Sequence, residues 1–198
     1  PELGRIVRRE DGSPIGTLQE AAANDFLANI VPERGLAVRV DAIERATREF
    51  AEIGLTWIQD ARVEGSDVAV YLAAASQDRL HTRVNLAFRA DPLTWREQHA
   101  PDEFLADRER LGALGHERLT AQTIKFFLDG VIEGHTAALL EPYADRPDDS
   151  GLPNWTEAEL QAATAAFDAA GFQLHLHAIG DAANRSALDA FEAIRDSG

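Results

Sequence analysis

The sequence has 198 residues, with 19 basic and 34 acidic side chains and a formal net charge of −15 at neutral pH. This excess of negative charge argues against nucleic acid or an anionic membrane as a partner. Because 45% of the residues are hydrophobic and 27% are charged, the composition is that of a globular domain that can bury a core, which excludes global disorder.

The sequence contains no cysteine, which excludes a disulfide framework, a thiolate zinc site and a cysteine nucleophile. A bound metal would therefore need histidine, carboxylate or lysine-derived oxygen ligands. The longest uninterrupted apolar run, residues 68–75, is far shorter than the roughly 20 residues that cross a bilayer. Since the polar opening carries no signal peptide either, we expect a cytoplasmic protein without a membrane partner.

The chain opens with a predicted irregular lead-in, residues 1–35, that contains one short helix over residues 18–31. From residue 36 onward, a unit of amphipathic helix followed by a short apolar strand recurs. The predicted strands cover residues 55–60, 83–88, 123–128 and 172–178. The helices have these start signals: Asp41 as an N-cap, Ser66, Pro101 in a first turn, a capping box of Thr156 and Glu159, and Asp181 as an N-cap.

This alternation of strands and helices predicts a parallel sheet built from crossover connections. Four strands are too few to close a (β/α)8 barrel of about 250 residues, but their rhythm fits half of one. A small doubly wound sheet is the competing architecture. It is the weaker alternative because no glycine-rich phosphate loop follows any predicted strand.

Reactive residues in parallel α/β folds gather at the carboxyl ends of the strands, and two of the four predicted ends are polar. His175 and His177 are two residues apart on the last strand, so both side chains leave by the same face. Neutral imidazoles in that arrangement suit zinc, iron or nickel. The alternative is a pair of histidines that only form hydrogen bonds within a core.

Lys125 lies within an apolar strand, where its ammonium must be desolvated unless it is paired, reaches the rim or is modified. One interpretation is a deprotonated lysine that takes up carbon dioxide and becomes a carbamate ligand. The other, which the sequence by itself favours, is a lysine that extends to solvent or forms an ion pair with Asp60 or Asp129. Asp129 followed by Gly130 is also a turn signal.

Several separate motifs occur in an order typical of one enzyme family. Residues 124–143 contain Lys-Phe-Phe-Leu-Asp-Gly and then Gly-His-Thr-Ala-Ala-Leu-Leu-Glu-Pro-Tyr, and residues 171–181 end in His-Ala-Ile-Gly-Asp. Residues 11–16 and 54–60 extend the match over nearly the whole chain. Together these segments resemble the metal-dependent amidohydrolases of the YtcJ-like type, amidohydrolase family 3.

This resemblance implies an α/β fold, a partial (β/α)8 TIM-type barrel in which residues 36–198 supply roughly strands two to five. It also implies one or two divalent metals, with zinc expected, whose hydroxide attacks an amide or cyclic amide carbonyl. His177 matches the histidine ligand of the fifth strand. Lys125 matches the fourth-strand lysine that is carboxylated and bridges two metals in related enzymes. These two are the expected catalytic and metal-binding residues.

The resemblance also suggests weaker candidates around those two residues. His175 would lie one step deeper on the same face and line the pocket. Asp129, Asp181 and Tyr143 would orient ligands or substrate, and a cap or turn role is the alternative for both aspartates.

The sequence departs from the family pattern because the first-strand His-x-His, the sixth-strand histidine and the eighth-strand aspartate have no counterpart. About two ligands remain, which are too few for a tight catalytic centre. Since the chain also lacks an initiating methionine, we expect the central part of a longer hydrolase that acts on a small-molecule amide and is inactive by itself. The alternative is a non-enzymatic truncated α/β module that dimerises and binds a small ligand or a protein partner. Open strand edges predict a homo-oligomer in either case.

Overall fold

The computed structural model describes residues 4–98 and 101–197. Its lead-in is more regular than predicted, because strands β1 (Gly4–Arg8) and β2 (Pro14–Glu20) pair as an antiparallel hairpin. The turn between them is closed by the amide of Arg9, which donates to the carbonyl of Ser13 at 2.8 Å. The predicted short helix follows as α1 (Ala21–Ile30).

The four predicted strands are present and build a four-stranded parallel sheet in the order β3-β4-β5-β6. Its strands are β3 (Trp57–Val63), β4 (Arg83–Arg89), β5 (Leu119–Phe127) and β6 (Gln173–His177). The helices are α2 (Leu36–Glu52), α3 (Gly65–Ser76), α4 (Pro92–Gln98), α5 (Asp102–Ala113), α6 (Glu157–Ala169) and α7 (Asp181–Ser197). None of these described helices is both long and apolar enough to span a membrane.

The helix starts agree with the sequence signals in part. The capping box of α6 is present, since the Glu159 amide donates to Thr156 Oγ1 and the Thr156 amide donates to the Glu159 carboxylate. The Asp41 cap was wrong: α2 begins at Leu36, and Asp41 lies inside the helix, where it pairs with Arg79 at 2.6 Å. Helix α4 was not predicted from the sequence at all.

The sheet has one apolar face and one polar face, because successive strand residues point to opposite sides. The apolar face packs against the helices and includes Val84, Leu86, Phe88, Ile124, Phe126, Leu174 and Leu176. Phe88 and Phe126 meet Phe104 of α5 and Phe167 of α6 in a cluster of tilted and edge-on rings. The other face carries Gln59, Asn85, Thr123, Lys125, Gln173, His175 and His177.

A long connection between β5 and α6 lies at the carboxyl ends of β5 and β6. Side chains of the β1–β2 hairpin form hydrogen bonds with it. Arg5 donates two hydrogen bonds to the Asp149 carboxylate, at 2.8 and 2.9 Å. Glu20 accepts a hydrogen bond from the Thr136 hydroxyl at 2.9 Å. The hairpin therefore anchors the loop between β5 and α6.

Candidate active site

Lys125 and His175 face each other on neighbouring strands, where the parallel pairing of β5 with β6 places them in register. Their Nζ and Nε2 atoms are 3.2 Å apart. Lys125 is 5% exposed, and burial lowers the pKa of its amine below the ordinary lysine value. Its Nζ also lies 4.8 Å from the centre of the Phe127 ring.

The ion pairs considered for Lys125 are not formed. Among the described residues, no carboxylate lies within ion-pair distance of its amine. Asp60 instead accepts a hydrogen bond from the Tyr71 hydroxyl at 2.6 Å. Lys125 is also the one lysine of the sequence, in which all the other basic residues are arginines. Its amine is therefore buried without a charge partner, at a point where an arginine would stay charged.

Both ring nitrogens of His175 lie within hydrogen-bonding distance of a neighbouring side chain. Its Nδ1 lies 2.6 Å from Gln59 Nε2, and its Nε2 faces Lys125. Burial is the main cause that lowers the pKa of His175, and the charges of Lys125 and His177 lower it further. With both ring nitrogens engaged, His175 has no position left for a metal.

His177 lies two residues nearer the strand end, and its side chain is 24% exposed. Its Nε2 donates to the Gly130 carbonyl at 2.9 Å and lies 3.7 Å from Asp129 Oδ1. The ring is thus neither packed beneath a helix nor turned away from the polar face. Because Nε2 carries the proton in that hydrogen bond, the neutral ring presents the lone pair of Nδ1.

Asp129 is a buried carboxylate that joins two loops, rather than a simple turn residue. It accepts hydrogen bonds from the amides of Ala138 at 2.9 Å, Ile179 at 3.0 Å and Gly180 at 2.7 Å. The same carboxylate lies beside His177. Asp129 therefore ties the backbone that follows His177 to the loop between β5 and α6.

Asp181 and Tyr143 attach the loop between β5 and α6 but are not brought to Lys125 or His177 by any contact of the described residues. Asp181 is the first residue of α7 rather than its N-cap, and its carboxylate accepts from the amides of Leu140 and Ala182, each at 2.9 Å. The Tyr143 hydroxyl donates to the Ala137 carbonyl at 2.8 Å, and burial raises its pKa. Both residues therefore have structural roles here.

Gln59 and Asn85 belong to the site, although the sequence analysis did not select them. Gln59 contacts His175, and Asn85 contacts Gln59 at 3.1 Å. A period of two along the strands could have indicated them, because polar residues at alternate positions of otherwise apolar strands must share a face.

The metal prediction is met only in part by these residues. Across residues 4–98 and 101–197, no group of three or more His, Asp, Glu or Cys side chains is arranged to hold a metal ion. Lys125 and His177, the two expected ligands, both lie on the polar face. Taken alone, they do not fit a complete metal site.

The comparisons with known proteins agree with the predicted family and with the fold. A sequence model described as amidohydrolase family matches residues 1–197. The chain belongs to the amidohydrolase family. This match confirms the resemblance seen in the motifs of residues 124–143 and 171–181.

Three curated relatives show how much of a longer protein the chain resembles. It is 30% identical to Protein LONG AFTER FAR-RED 3 of Arabidopsis thaliana, over 98% of the chain and 33% of the relative. It is 29% identical to putative amidohydrolase YtcJ of Bacillus subtilis, over 97% of the chain and 35% of the relative. It is 25% identical to N-substituted formamide deformylase of Arthrobacter pascens, over 98% of the chain and 36% of the relative. The chain thus spans about a third of the length of these relatives.

A solved structure supports the architecture. The fold is similar to that of an uncharacterized metal-dependent hydrolase from Pyrococcus furiosus, with a TM-score of 0.70 and 23% identity. The similarity covers 94% of the chain and 37% of that protein. This likeness confirms the predicted α/β fold, whose four parallel strands are consistent with part of a TIM-like barrel.

Proposed function

We propose that this chain supplies part of the active site of a metal-dependent hydrolase that cleaves amide or cyclic amide C–N bonds. The observation that carries the proposal is a buried, uncompensated Lys125 beside His175, with His177 on the same face and bonded through Nε2 to the Gly130 carbonyl. The family of the chain and the formamide substrate in the name of one relative support this reaction class.

His177 and Lys125 would hold the divalent ion, for which imidazole makes zinc the expected choice. His177 would bind through Nδ1, because Nε2 is committed to the Gly130 carbonyl. Lys125 would contribute after its neutral amine takes up carbon dioxide and releases a proton, which leaves a carbamate with two oxygen donors. When bound, the ion would supply Lewis acidity for the scissile carbonyl.

The remaining ligands of the proposed centre must come from outside the described residues. Two ligands are too few to bind a divalent ion tightly, and residues 4–98 and 101–197 offer no group of three. We therefore expect this chain to be inactive by itself. Asp129 would act on the centre indirectly, because it ties the segment that follows His177 to the loop between β5 and α6.

A metal assay on the natural polypeptide tests this function. We expect a divalent ion in the purified protein and hydrolysis of N-formyl or cyclic amide substrates, with both strongly reduced in His177→Ala. The control is His81→Ala, since His81 is an exposed histidine beside Glu44. Absence of a divalent ion, or equal metal content in the two variants, would contradict the proposal.

The non-enzymatic alternative, a module that dimerises, is favoured by one observation. Among the described strands, β3 and β6 lie at the two ends of the sheet, and Trp57 on β3 is 53% exposed. Leu188 and Phe191 of α7 are exposed at the β6 side, at 66% and 42%. A dimer that binds no divalent ion, with the His177→Ala protein unchanged, would favour this alternative over the hydrolase.

A further inference from the structure

A chain of hydrogen bonds runs beneath Lys125 and begins at the main chain. The amide of Gln122 donates to Asn85 Oδ1 at 3.1 Å, and the Thr120 hydroxyl donates to the same oxygen at 2.9 Å. A backbone N–H has no lone pair, so the atom of Asn85 that faces it must be the oxygen. The orientation of the buried Asn85 amide is therefore fixed by the backbone.

The orientation of the Asn85 amide in turn fixes the orientation of the Gln59 amide. With its oxygen committed, Asn85 donates through Nδ2 to Thr123 Oγ1 at 2.8 Å and to Gln59 Oε1 at 3.1 Å. If the Gln59 amide were reversed, two NH2 groups would face each other. Gln59 is therefore held with its own Nε2 directed at His175.

The ring of His175 receives the next hydrogen bond. Gln59 Nε2 donates to His175 Nδ1 over 2.6 Å, so Nδ1 must carry the lone pair of the neutral ring. The proton then belongs on Nε2, which lies 3.2 Å from Lys125 Nζ. The tautomer of His175 is thus determined by the backbone amide of Gln122, through two side-chain amides.

We propose that Asn85 and Gln59 are positioning residues that lock His175 in the Nε2–H tautomer and so aim a hydrogen-bond donor at the end of Lys125. The significance of this donor rests on the proposed function, in which Lys125 is a metal ligand. An ammonium has three donors and no acceptor, whereas a carbamate oxygen accepts. The chain of hydrogen bonds favours a Lys125 end group that accepts.

The tautomer of His175 can be read directly from the nitrogen chemical shifts of histidine rings in the 15N-labelled protein. In the wild type, with the ring neutral, we expect the shift of a bare nitrogen at Nδ1 and of a protonated nitrogen at Nε2. Gln59→Glu replaces the donor by an acceptor, so we expect the two shifts to exchange. The control is Gln173→Glu, the same change on the same face, where the residue contacts Thr123 rather than His175.

Asn85→Ala serves as a second variant that introduces no charge. It removes the Asn85 donor and leaves Gln59 Oε1 with the longer contact from the Thr123 hydroxyl at 3.5 Å, so we expect a mixture of both His175 tautomers. A wild-type ring protonated at Nδ1, or a tautomer that stays the same in both Gln59→Glu and Asn85→Ala, would overturn the proposal. A change of tautomer in Gln173→Glu equal to that in Gln59→Glu would overturn it as well.

This readout needs no metal, so it separates the inference from the proposed function. The expected tautomer in a protein that binds no divalent ion would leave the inference standing and reject the hydrolase centre. Conversely, loss of the metal in His177→Ala together with a wild-type His175 protonated at Nδ1 would support the hydrolase centre and reject the inference.

Discussion

Lys125 Nζ lies 3.2 Å from His175 Nε2, across the pairing of β5 with β6. The buried amine of Lys125 therefore has a polar neighbour in His175, but this neighbour carries no negative charge. Because a buried ammonium without a counter-charge is costly, the contact favours a Lys125 that is neutral or has reacted. An arginine, which is the residue used for every other cation of the sequence, would not lose its charge there.

The single lysine makes carbamate formation directly observable. In 13C-labelled bicarbonate, we expect a carbamate carbon signal from Lys125, because its neutral amine can attack carbon dioxide. Lys125→Arg is the matched control, since it removes the one lysine of the sequence and keeps a positive charge at that position. If the spectra of the wild type and Lys125→Arg are identical, Lys125 is not carboxylated under those conditions and the carbamate proposal fails.

The local elements were largely predictable, because their signals lie close together in the sequence. The capping box of Thr156 and Glu159 specifies the start of α6, and the alternation of apolar and polar residues places Lys125, His175 and His177 on the strands. Asp41 misled because a capping residue also forms ion pairs from inside a helix, as it does with Arg79.

The network that supports the site could not be predicted in the same way. Asn85 reaches Gln59 because β3 and β4 pair with those two residues in register. It reaches Thr123 through the next pairing, in which the register between β4 and β5 shifts between Asn85 and Ala87. Register of this kind is set by the packing of helices against the sheet, which no single segment encodes.

Asp129→Asn tests the junction behind His177. The carboxylate accepts three backbone hydrogen bonds, and an asparagine would direct an NH2 group at one or two of those amides. We expect the free energy of unfolding to fall by about 2 to 3 kcal/mol in urea titrations. Asp145→Asn is the control on the same loop, because the Asp145 side chain is exposed and pairs with His135 rather than with the amides of a second loop. Equal losses in the two variants would show that Asp129 does not join the loops as described.

Gly180→Ala tests the close approach of two loops next to the site. A Cβ at residue 180 would overlap the carbonyl oxygen of Ala138, which also accepts from the first amides of α7. Since backbone has to move to relieve the overlap, we expect a loss of about 2 kcal/mol or more in thermal or urea unfolding. Gly112→Ala, in the last turn of α5 where an added Cβ meets open space, should instead be neutral or stabilise by up to about 0.5 to 1 kcal/mol. A Gly180→Ala protein as stable as Gly112→Ala would contradict this packing.

The capping box of α6 predicts how stability depends on pH. Arg96 and the Thr156 amide hold the pKa of Glu159 at about 2, below its ordinary value of 4.5. A carboxyl with a lowered pKa in the folded state contributes stability above the unfolded pKa, and that contribution is lost as the pH falls through the folded pKa. The stabilisation from Glu159 should therefore be complete above pH 4.5 and disappear towards about pH 2.

Glu159→Gln removes this dependence. We expect the difference in unfolding free energy between wild type and variant to be about 1 kcal/mol above pH 4.5, because the Glu159 and Arg96 side chains are partly exposed, and to shrink towards about pH 2. Urea titrations at a series of pH values measure it. Glu157→Gln is the control. It removes one negative charge from the same first turn of α6 but leaves the pair of Arg96 with Glu159 intact, so we expect a smaller loss of unfolding free energy. A Glu159→Gln difference that stays constant down to pH 2, or one matched by Glu157→Gln, would show that the pair with Arg96 does not set the pKa of Glu159.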